Sequence, residues 1–364
     1  MIKLLIGGSP CTYWSIAQKK NRETEPSGLG WELFENYLIA KEKFKPDFFL
    51  YENNKSAAQA IKDEIKKRLN VWDGTLFMPD SGARYIEINS ALVSAQNRKR
   101  FYVHNCGDVE QPADRGIILR DILETGTDLM QNEKVYCLTD SYNGACAGNT
   151  LERKQRTMVA EPIRIGDIGS TAQAHRIYSC DGKSVTINAG GGGQGGKTGL
   201  YACPIFENVG DFVSSDKPIY VVNDGKINIR GKEYPIKLQD GFYIIRKLTV
   251  TECCRLQTLP DDYCRAVSKT QAYKGLGNGW TAEVIIHILN GALKDIPRDE
   301  KIVVLSMYDG IGTGRYCLDK MGFKNVEYHA FEIDKYAMQI AKSNFPDIIE
   351  NGDAFQVRDD NFTL

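Results

Sequence analysis

The feature that most restricts the fold is an alternation of apolar strands, a glycine turn and a helix near the end of the chain. Residues 302–305 form a continuous apolar run, and a glycine-rich turn at residues 308–314 follows it. A helical stretch then leads to a second strand at residues 327–331, which ends in Glu332. In the βαβ unit of a parallel sheet, an acid about 20 residues after the glycines binds a ribose. The pattern lacks the third glycine of the dinucleotide motif, so it predicts a parallel α/β sheet that binds a nucleoside cofactor.

A second apolar strand that ends in glycines opens the chain. Residues 4–6 are apolar, and Gly7 and Gly8 follow them. Pro10 fixes its own φ angle and keeps the preceding residue out of the helical region, so Cys11 begins a stiff loop. A cysteine acts as a nucleophile through its thiolate, which an exposed electropositive loop favours. These residues alone are about equally compatible with a buried structural cysteine, the usual fate of a free thiol.

Polar residues also border two further apolar runs. Residues 48–51 are apolar and lead to Glu52, and the basic sequence at residues 96–100 stands just before the run at residues 101–104. Because the carboxyl ends of parallel strands meet at one edge of a sheet, we expect Glu52 and Cys11 to line the same edge. Consecutive cations usually form a solvated face, but their position between strands also allows contacts with phosphates or bases.

Composition favours a globular protein with one large domain or two smaller ones. The chain has 364 residues, of which 42% are hydrophobic and 26% are charged, and its formal net charge is -1. Nucleic-acid binding would therefore depend on local basic patches. Ten cysteines without a Cys-x-x-Cys pair, and only four histidines, disfavour a zinc site. We find no signal peptide and no apolar run of about 18 residues, and we expect a reducing, cytoplasmic setting.

The middle of the chain has a different character. From about residue 134 to 243 the helical period fades, and glycine, serine and short β-like segments predominate. We predict an inserted, mostly β domain there, with candidate strands at residues 176–179, 184–187, 219–222, 226–230 and 242–245. Residues 191–198 match the phosphate-loop pattern Gly-x4-Gly-Lys-Thr. Because no helical sequence follows this match, we interpret it as a flexible loop and not as a triphosphate site.

Apolar residues at helical spacing predict the helices. We expect helices at residues 31–43, 57–69, 246–257, 281–293 and 334–344. The three glycines within residues 275–279 predict a turn between the helices at residues 246–257 and 281–293.

Taken together, these segments resemble the cytosine-5 DNA methyltransferase family. The resemblance covers most of the chain outside about residues 134–243. The matching motifs are Pro10-Cys11 for Pro-Cys, residues 52–54 for Glu-Asn-Val, residues 96–100 for Gln-x-Arg-x-Arg, residues 246–257 for the end of the recognition domain, residues 277–284 for the last motif and residues 308–312 for the cofactor motif. The chain departs from the family pattern at Asn54, where valine is usual, at Tyr308, where phenylalanine is usual, and at Thr313, where glycine is usual.

The resemblance implies a Rossmann-like methyltransferase sheet, an α/β fold, into which a small, mostly β target-recognition domain is inserted. The cofactor motif usually comes first in the family, whereas here it comes last, so the chain resembles a circularly permuted member. Both termini should then lie on neighbouring strands of one sheet. The expected domains are residues 1–133 for the catalytic part, residues 134–260 for target recognition, and residues 261–364 for the last motif and the cofactor-binding part.

The resemblance also implies roles for the matching residues. The thiolate of Cys11, next to Pro10, would attack carbon 6 of a cytosine flipped out of double-stranded DNA. Glu52 would bind the N3/N4 edge of the base, Arg98 would contact its O2, and Arg100 would help to hold either Glu52 or the backbone. The residues expected to contact DNA are Ser15, Gln96, Arg153, Lys154 and Arg156.

S-adenosylmethionine is the implied cofactor, and S-adenosylhomocysteine is the implied product. Glu332 would bind the ribose hydroxyls and Asp353 the adenine amino group, although strand-end acids of this kind can also be merely solvated. The residues expected to hold the cofactor are Leu33, Asn278, Tyr308, Asp309, Gly310, Ile311, Gly312, Thr313, Glu332, Ile333, Asp353 and Ala354.

Two other functions fit parts of the pattern. A transfer-RNA cytosine methyltransferase would use the same core, but the long β-rich insert favours an enzyme that reads duplex DNA. The other is a catalytically silent DNA-binding module, or an ATPase that uses residues 191–198, and the presence of Cys11, Glu52 and Arg98 disfavours it. We expect a monomer encoded by a bacterium or phage, with DNA as its partner, no membrane contact and no metal. A cognate restriction endonuclease is a further partner that the resemblance allows.

Overall fold

The computed structural model describes most of the chain. It describes residues 1–15, 22–72, 74, 80–124, 127–128, 134–162, 166–167, 176–179, 200–202, 219–229, 231–238 and 240–362. No helix within these ranges is long and apolar enough to cross a membrane.

The described helices and strands alternate in the first part of the chain and again in the last part. The α-helices are α1 (Leu29–Phe44), α2 (Gln59–Arg68), α3 (Ala147–Leu151), α4 (Val250–Leu256), α5 (Lys269–Asn278), α6 (Ala282–Leu293), α7 (Thr313–Lys320) and α8 (Lys335–Asn344). The β-strands are β1 (Ile2–Gly7), β2 (Phe48–Asn54), β3 (Arg84–Asn89), β4 (Lys99–His104), β5 (Thr127–Asp128), β6 (Met158–Pro162), β7 (Gly166–Asp167), β8 (Arg176–Ser179), β9 (Leu200–Ala202), β10 (Ile219–Asn223), β11 (Lys226–Ile229), β12 (Lys232–Pro235), β13 (Gly241–Lys247), β14 (Ile302–Met307), β15 (Val326–Phe331) and β16 (Ile349–Glu350). The helices predicted at the positions of α1, α2, α6 and α8 are confirmed.

The chain divides into two compact units. The first unit comprises Met1–Ile118, Cys137–Asn143 and Val250–Leu364, and the second comprises Leu119–Tyr136 and Gly144–Thr249. The second unit therefore begins before the expected boundary at 134 and ends before the expected boundary at 260. The segment 137–143 lies in the first unit because its backbone bonds there: the N–H of Leu138 donates to Gln96 Oε1 at 2.9 Å.

The first unit is built on a seven-stranded sheet with the order β16-β15-β14-β1-β2-β4-β3 among the described strands. β16, β15, β14, β1 and β2 pair in parallel, whereas β4 is antiparallel to both β2 and β3. Gly7, the last residue of β1, is in register with Met307 of β14 and with Tyr51 of β2, and Met307 is in register with Phe331 of β15. These strands therefore end at one edge of the sheet, and the polar residues that follow them meet there.

Helices cover both faces of this sheet, which explains why its central strands are almost continuously apolar. All six residues of β14 are buried. On one face, Leu5 of β1 belongs to a buried cluster with Phe34 of α1. On the other face, α7 approaches β1 so closely that a Cβ at Gly314 would lie 2.4 Å from Cδ1 of Ile6. This close packing holds the turn that precedes α7 at the sheet edge.

The expectation that the two termini lie on neighbouring strands is wrong. β1 lies in the centre of the sheet, between β14 and β2, whereas β16 is an edge strand. After β16 the chain forms a 3-10 turn, Ala354–Arg358. Arg358 Nε donates to Asn36 Oδ1 at 2.6 Å. The end of the chain therefore packs on α1, which is the helix that follows β1, and not beside β1 itself.

The turn predicted at residues 275–279 is also wrong, because α5 continues through Asn278. A Cβ at Gly277 would lie 2.3 Å from the carbonyl carbon of Thr139, and a Cβ at Gly275 would lie 2.7 Å from Cγ2 of Ile311. The glycines allow other segments to approach the helix and do not reverse the chain. Local sequence cannot distinguish these two uses of glycine.

The second unit is mostly β in its described part, with a six-stranded sheet of order β12-β11-β10-β13-β6-β5 and a three-stranded sheet β7-β8-β9. The hairpin of β10 and β11 turns at Asp224 and Gly225, whose φ angles of 50° and 66° are those that a two-residue hairpin loop needs. The helix predicted from residue 246 begins instead at Val250, because β13 extends to Lys247. The candidate strand at 184–187 and the phosphate-loop match at 191–198 lie outside the described residues.

Candidate active site

A cleft of about 190 Å³ lies at the edge of the first unit's sheet where the parallel strands end. Its described lining comes from residues 8–10 and 12, from Glu52, Arg98 and Arg100, and from the segments 271–280, 308–313 and 332–337. Segments from both ends of the chain therefore line one cleft. This juxtaposition follows from the sheet, because β1 pairs directly with β14.

The loop after β1 is held against β2 by buried hydrogen bonds. Ser9 Oγ and the Tyr51 hydroxyl share a hydrogen bond of 2.7 Å, and Asn53 Nδ2 donates to the Ser9 carbonyl at 2.9 Å. A Cβ at Gly8 would lie 2.4 Å from the carbonyl oxygen of Glu52, so only glycine allows this approach. The main chain then enters the 3-10 turn Cys11–Tyr13 along the wall of the cleft.

Glu52 is buried at the end of β2, and each of its carboxylate oxygens has a donor. Arg100 Nε lies 3.0 Å from Oε1, and Trp280 Nε1 donates to Oε2 at 3.1 Å. The side chain of Glu52 is only 12% exposed and that of Arg100 only 9%, so solvent screens this ion pair weakly. The expected association of Arg100 with Glu52 is present in the structure, whereas the contribution of Trp280 was not expected.

Arg98 lines the cleft, and its described hydrogen bonds run to backbone carbonyls. Its Nη1 donates to the carbonyls of Leu138 and Gly277 at 3.2 and 3.1 Å, and its Nη2 donates to the carbonyl of Gly279 at 2.8 Å. These carbonyls belong to the end of α5 and to the returning segment 137–143. Arg98 therefore joins backbone segments beside the cleft, because a guanidinium can satisfy several buried carbonyls at once.

Gln96, a predicted DNA contact, has protein partners for its side chain among the described residues. It is fully buried, and its Nε2 lies 3.3 Å from the Leu256 carbonyl. Ser15 is half-buried, with Asn54 Nδ2 at 3.4 Å from its Oγ. In the second unit, Arg153 and Lys154 are exposed, while Arg156 Nη1 donates to the Gly144 carbonyl at 3.1 Å. The exposed pair keeps the surface position that a phosphate contact requires.

Glu332 organises the glycine turn after β14. Its Oε2 accepts the backbone N–H of Gly310 at 2.8 Å, and its Oε1 accepts the N–H groups of Ile333 and Asp334, both at 2.8 Å. Each carboxylate oxygen has two lone-pair sites. Among the described residues, Oε1 is therefore saturated and Oε2 keeps one site, so Glu332 can accept one ribose hydroxyl and not two.

The remaining residues of the turn differ in what they offer to a ligand. The Tyr308 hydroxyl donates to the Leu33 carbonyl at 2.7 Å, so Leu33 supports the turn through its backbone. The Ile311 carbonyl accepts the Tyr263 hydroxyl at 3.0 Å. Gly312 has a φ of 77° and begins α7. Thr313 is 2% exposed, and its Oγ1 has no hydrogen-bond partner among the described residues. Thr313 therefore offers a hydroxyl to a ligand where a glycine would offer none.

Only one of the other predicted cofactor residues lines the described cleft. Asn278 lines it, whereas Ile333, Asp353 and Ala354 are not part of its described lining. Ile333 is 72% exposed, an unusual state for a large apolar side chain. Asp353 accepts the N–H of Phe355 at 3.0 Å, and Ala354 is buried.

Asp309 is turned toward the sheet. Its Oδ1 accepts the Ser306 hydroxyl at 2.7 Å and the Tyr328 hydroxyl at 2.6 Å. Loss of hydration raises the pKa of Asp309 to about 6, the two hydroxyl donors oppose this change, and the nearby Glu332 charge adds to it. The carboxyl thus has partners inside the protein and is harder to ionise than an exposed aspartate.

This raised pKa leads to a prediction about stability. A carboxyl that binds its proton more tightly when folded favours the folded state at low pH, and this contribution is lost as pH rises from about 4 to about 6. We expect Asp309→Asn, which keeps an acceptor for both hydroxyls, to gain on the order of 2 kcal/mol relative to wild type between about pH 4 and pH 7. Urea unfolding of both proteins at the two pH values measures this difference. An equal difference at both values would contradict it.

Sequence reasoning missed several residues of the cleft. Trp280 and Lys274 both line it, and Lys274 Nζ forms an ion pair with Asp334 at 2.6 Å. The signal for Trp280 was its place directly after the glycine segment 275–279. For Lys274 there was no signal, since its partner is distant in the sequence and only the packing of α5 near α8 brings them together.

Comparisons with known proteins give one family match and several related sequences. A model of the family described as C-5 cytosine-specific DNA methylase matches residues 1–294. Type II methyltransferase M.HhaI of Haemophilus parahaemolyticus is 25% identical over 299 residues, which cover 78% of this chain and 74% of that protein. Orphan methyltransferase M.SPBetaI of Bacillus phage SPbeta is 28% identical over 311 residues, which cover 70% of this chain and 68% of that protein. The solved structure of S. pombe Dnmt2 methyltransferase matches with 15% identity and a TM-score of 0.37. The match covers 79% of this chain and 78% of that chain.

Proposed function

The chain belongs to the C-5 cytosine-specific DNA methylase family, and on this premise we propose that it transfers a methyl group from S-adenosylmethionine to carbon 5 of cytosine within specific DNA sequences. The observation that supports this proposal most strongly is the shared cleft. The loop that carries Cys11, the buried Glu52 and the glycine turn at residues 310–313 all border it. A nucleophile, an acid and a cofactor turn are the groups that this reaction needs in one place.

The protein's own groups account for the activation of the base. Carbon 5 of cytosine is a poor nucleophile. A bond from the Cys11 sulfur to carbon 6 moves the electron pair of the 5,6 double bond toward carbon 5, which can then accept a methyl group. Glu52 acts as a general acid in its protonated form and donates its proton to N3, which neutralises the charge that develops on the ring. Water then takes the proton from carbon 5, N3 returns its proton to Glu52, and departure of the Cys11 thiolate restores the ring.

The target atoms are hidden inside a DNA duplex, so the cytosine has to be flipped out of the stack before Cys11 can reach it. Unpairing and unstacking cost a few kcal/mol. A cleft at the sheet edge that exposes Pro10 and adjoins Glu52 suits a base that enters from outside. Ser15 lies after Cys11 in the sequence and is our candidate for a contact near the gap left in the duplex.

The residues of the glycine turn fit S-adenosylmethionine. The remaining acceptor site on Glu332 suits a ribose hydroxyl, and the unpartnered hydroxyl of Thr313 suits a polar group of the same ligand. Asn278 borders the cleft on the side of α5, and the exposed Ile333 next to Glu332 offers an apolar surface for an adenine. The cofactor supplies an electrophilic methyl group, and these residues would hold and orient it.

We assign target recognition to the second unit. Its described hairpins are two-stranded β-ribbons, and the major groove of DNA admits an element of this kind. The exposed Arg153 and Lys154 would contact phosphates, so affinity for DNA should fall steeply with added salt.

We also propose that the order of the sequence motifs is circularly permuted. The family match ends at residue 294, and the residues after it supply β14 to β16 of the same sheet. The connection between α6 and β14 is short and is held by Arg298, whose Nη1 donates to the Leu293 carbonyl at 2.8 Å. Such a connection would join the two ends of an unpermuted chain.

A rearranged chain tests this order. Joining Leu364 to Met1 through about ten Gly/Ser residues and opening the chain between Arg298 and Asp299 should give a folded protein with activity close to wild type, because Arg298 stays attached to α6. A matched control opened inside β14 should not fold, since it divides a buried central strand. Insolubility of the first variant, with an equally insoluble control, would contradict the permutation.

Methyl transfer to different nucleic acids tests the function itself. The purified protein should transfer labelled methyl groups from S-adenosylmethionine to unmethylated duplex DNA, and bisulfite sequencing of that DNA should show methylated cytosines within one short sequence. Transfer to transfer RNA but not to DNA would support the alternative substrate. Absence of transfer to either would refute the proposal.

A further inference from the structure

We propose that Trp280 is a positioning residue for Glu52, whose indole N–H orients the carboxylate toward the base. This inference rests on the proposed function, because it assigns a role within the same reaction. Trp280 Nε1 donates to Glu52 Oε2 at 3.1 Å, and Arg100 Nε lies 3.0 Å from Glu52 Oε1. Two donors on two different oxygens determine the plane of the carboxylate, which one donor would leave free to rotate.

The two donors that Trp280 and Arg100 present to Glu52 lie close to the loop that carries Cys11. A Cβ at Gly8 would lie 3.0 Å from Glu52 Oε2, so this oxygen lies against the loop that leads to Cys11. The indole N–H therefore fixes the oxygen on the side of that loop. General acid catalysis requires the acid within hydrogen-bond reach of its target, so a rotated carboxylate would lose alignment with the base.

Trp280 can position Glu52 because hydrogen bonds hold the residues on both sides of it in the chain. The Gly279 carbonyl accepts Arg98 Nη2 at 2.8 Å. On the other side, Thr281 Oγ1 donates to Gln257 Oε1 at 2.9 Å and accepts the Ser90 hydroxyl at 2.9 Å. The main chain is thus fixed immediately before and after Trp280. This arrangement also gives Arg98 a purpose in the site, since it acts through the backbone that carries Trp280.

The tryptophan ring could instead serve the cofactor, because Trp280 and Asn278 both line the cleft. The two roles differ in what they affect. A residue that positions Glu52 should change activation of the base and leave the affinity for the cofactor almost unaltered. A residue of the cofactor pocket should do the reverse.

The test uses the full-length protein and two readouts. Trp280→Phe keeps an aromatic ring but removes the N–H donor. We expect it to slow methyl transfer about 10- to 100-fold, as for loss of a hydrogen bond to a charged group. In the absence of S-adenosylmethionine, release of tritium from carbon 5 of labelled cytosine in duplex DNA should slow by a similar factor, because this exchange with water requires addition of the thiolate but no methyl transfer. The dissociation constant of S-adenosylhomocysteine should change by less than about threefold.

A double-mutant cycle establishes that Trp280 acts through Glu52. In a Glu52→Gln background, we expect Trp280→Phe to slow tritium release by less than about twofold, because the carboxylate that it orients is already gone. Trp72→Phe is the matched control, since Trp72 stacks on Arg84 away from the cleft lining, and it should leave both readouts at wild-type values. If Trp280→Phe proves insoluble, Trp280→His, which keeps a ring N–H, replaces it and should retain more activity than Trp280→Ala.

Two results would overturn this inference. One is weaker binding of S-adenosylhomocysteine with unchanged tritium release, which would assign Trp280 to the cofactor. The other is the same loss of activity in the wild-type and Glu52→Gln backgrounds, which would show independent action. Failure of the proposed function has a separate sign, namely no tritium release by the wild-type protein, and the role of Trp280 would then fall with it.

Discussion

Replacement of Cys11 by alanine should reduce methyl transfer to DNA by at least about 10⁴-fold, since removal of a covalent nucleophile has effects of this size or larger. Without the sulfur, no bond forms at carbon 6 and carbon 5 keeps its low reactivity. The position of the loop supports this expectation, because Pro10 and Thr12 on either side of Cys11 line the cleft. Transfer of tritiated methyl groups to unmethylated duplex DNA measures the effect.

A matched cysteine provides the control for this experiment. Cys146 is exposed in the second unit, and Cys146→Ala should retain activity. Cys106 and Cys317 make poor substitutes for the nucleophile, because burial raises the pKa of Cys106 to about 12 and also raises that of Cys317. Binding of S-adenosylhomocysteine by Cys11→Ala should stay within about threefold of wild type, which shows that the fold is intact. Turnover by Cys11→Ala near the wild-type rate would refute the assignment.

Replacement of Glu332 by glutamine should weaken binding of S-adenosylhomocysteine by about 10- to 100-fold, because the charge-assisted hydrogen bond to a ribose hydroxyl is lost. A glutamine has one acceptor oxygen and one amide group that can only donate. The three backbone N–H groups that Glu332 now satisfies therefore cannot all be paired. The turn at Gly310 should loosen, and the ligand should lose its acceptor. Isothermal titration with S-adenosylhomocysteine measures the affinity.

An acid within β15, the strand that precedes Glu332, provides the control. It distinguishes loss of the ligand site from damage to the strand. Glu327 lies near the start of β15, its side chain is 41% exposed, and it pairs with Lys301. Glu327→Gln should bind S-adenosylhomocysteine as wild type does. Equal affinities for the Glu332→Gln and wild-type proteins would show that Glu332 only supports the turn, without contacting the ribose.

Much of the first unit could be predicted from local sequence. Apolar runs followed by glycine or an acid identify β1, β2 and β14, because strands covered on both faces need mostly apolar residues and their ends carry the turns. β15 contains Glu327 and His329, and its place before Glu332 identifies it. The placement of Glu52 and of residues 308–313 at one edge follows from the same rule. Helices α1, α2, α6 and α8 are detectable because burial of one face leaves an apolar period in the sequence.

Other features needed the tertiary structure. Gly277 is used for the approach of a distant backbone, so its sequence context indicated a turn that does not exist. Gln96 and Arg98 stand in a run of polar residues typical of a surface, yet they are buried because carbonyls and amides from remote segments satisfy them. Nothing in a linear sequence records such partners.

The local pattern of the sequence was thus sufficient to determine the central strands of the first unit and the polar residues at their ends, since these depend on the pattern of neighbouring side chains. Only the tertiary structure decided how the carboxylate of Glu52 is held and what Arg98 and Trp280 do beside it. The physical reason is that a hydrogen bond depends on distance and direction in space, and Trp280 meets Glu52 across 228 positions of the chain.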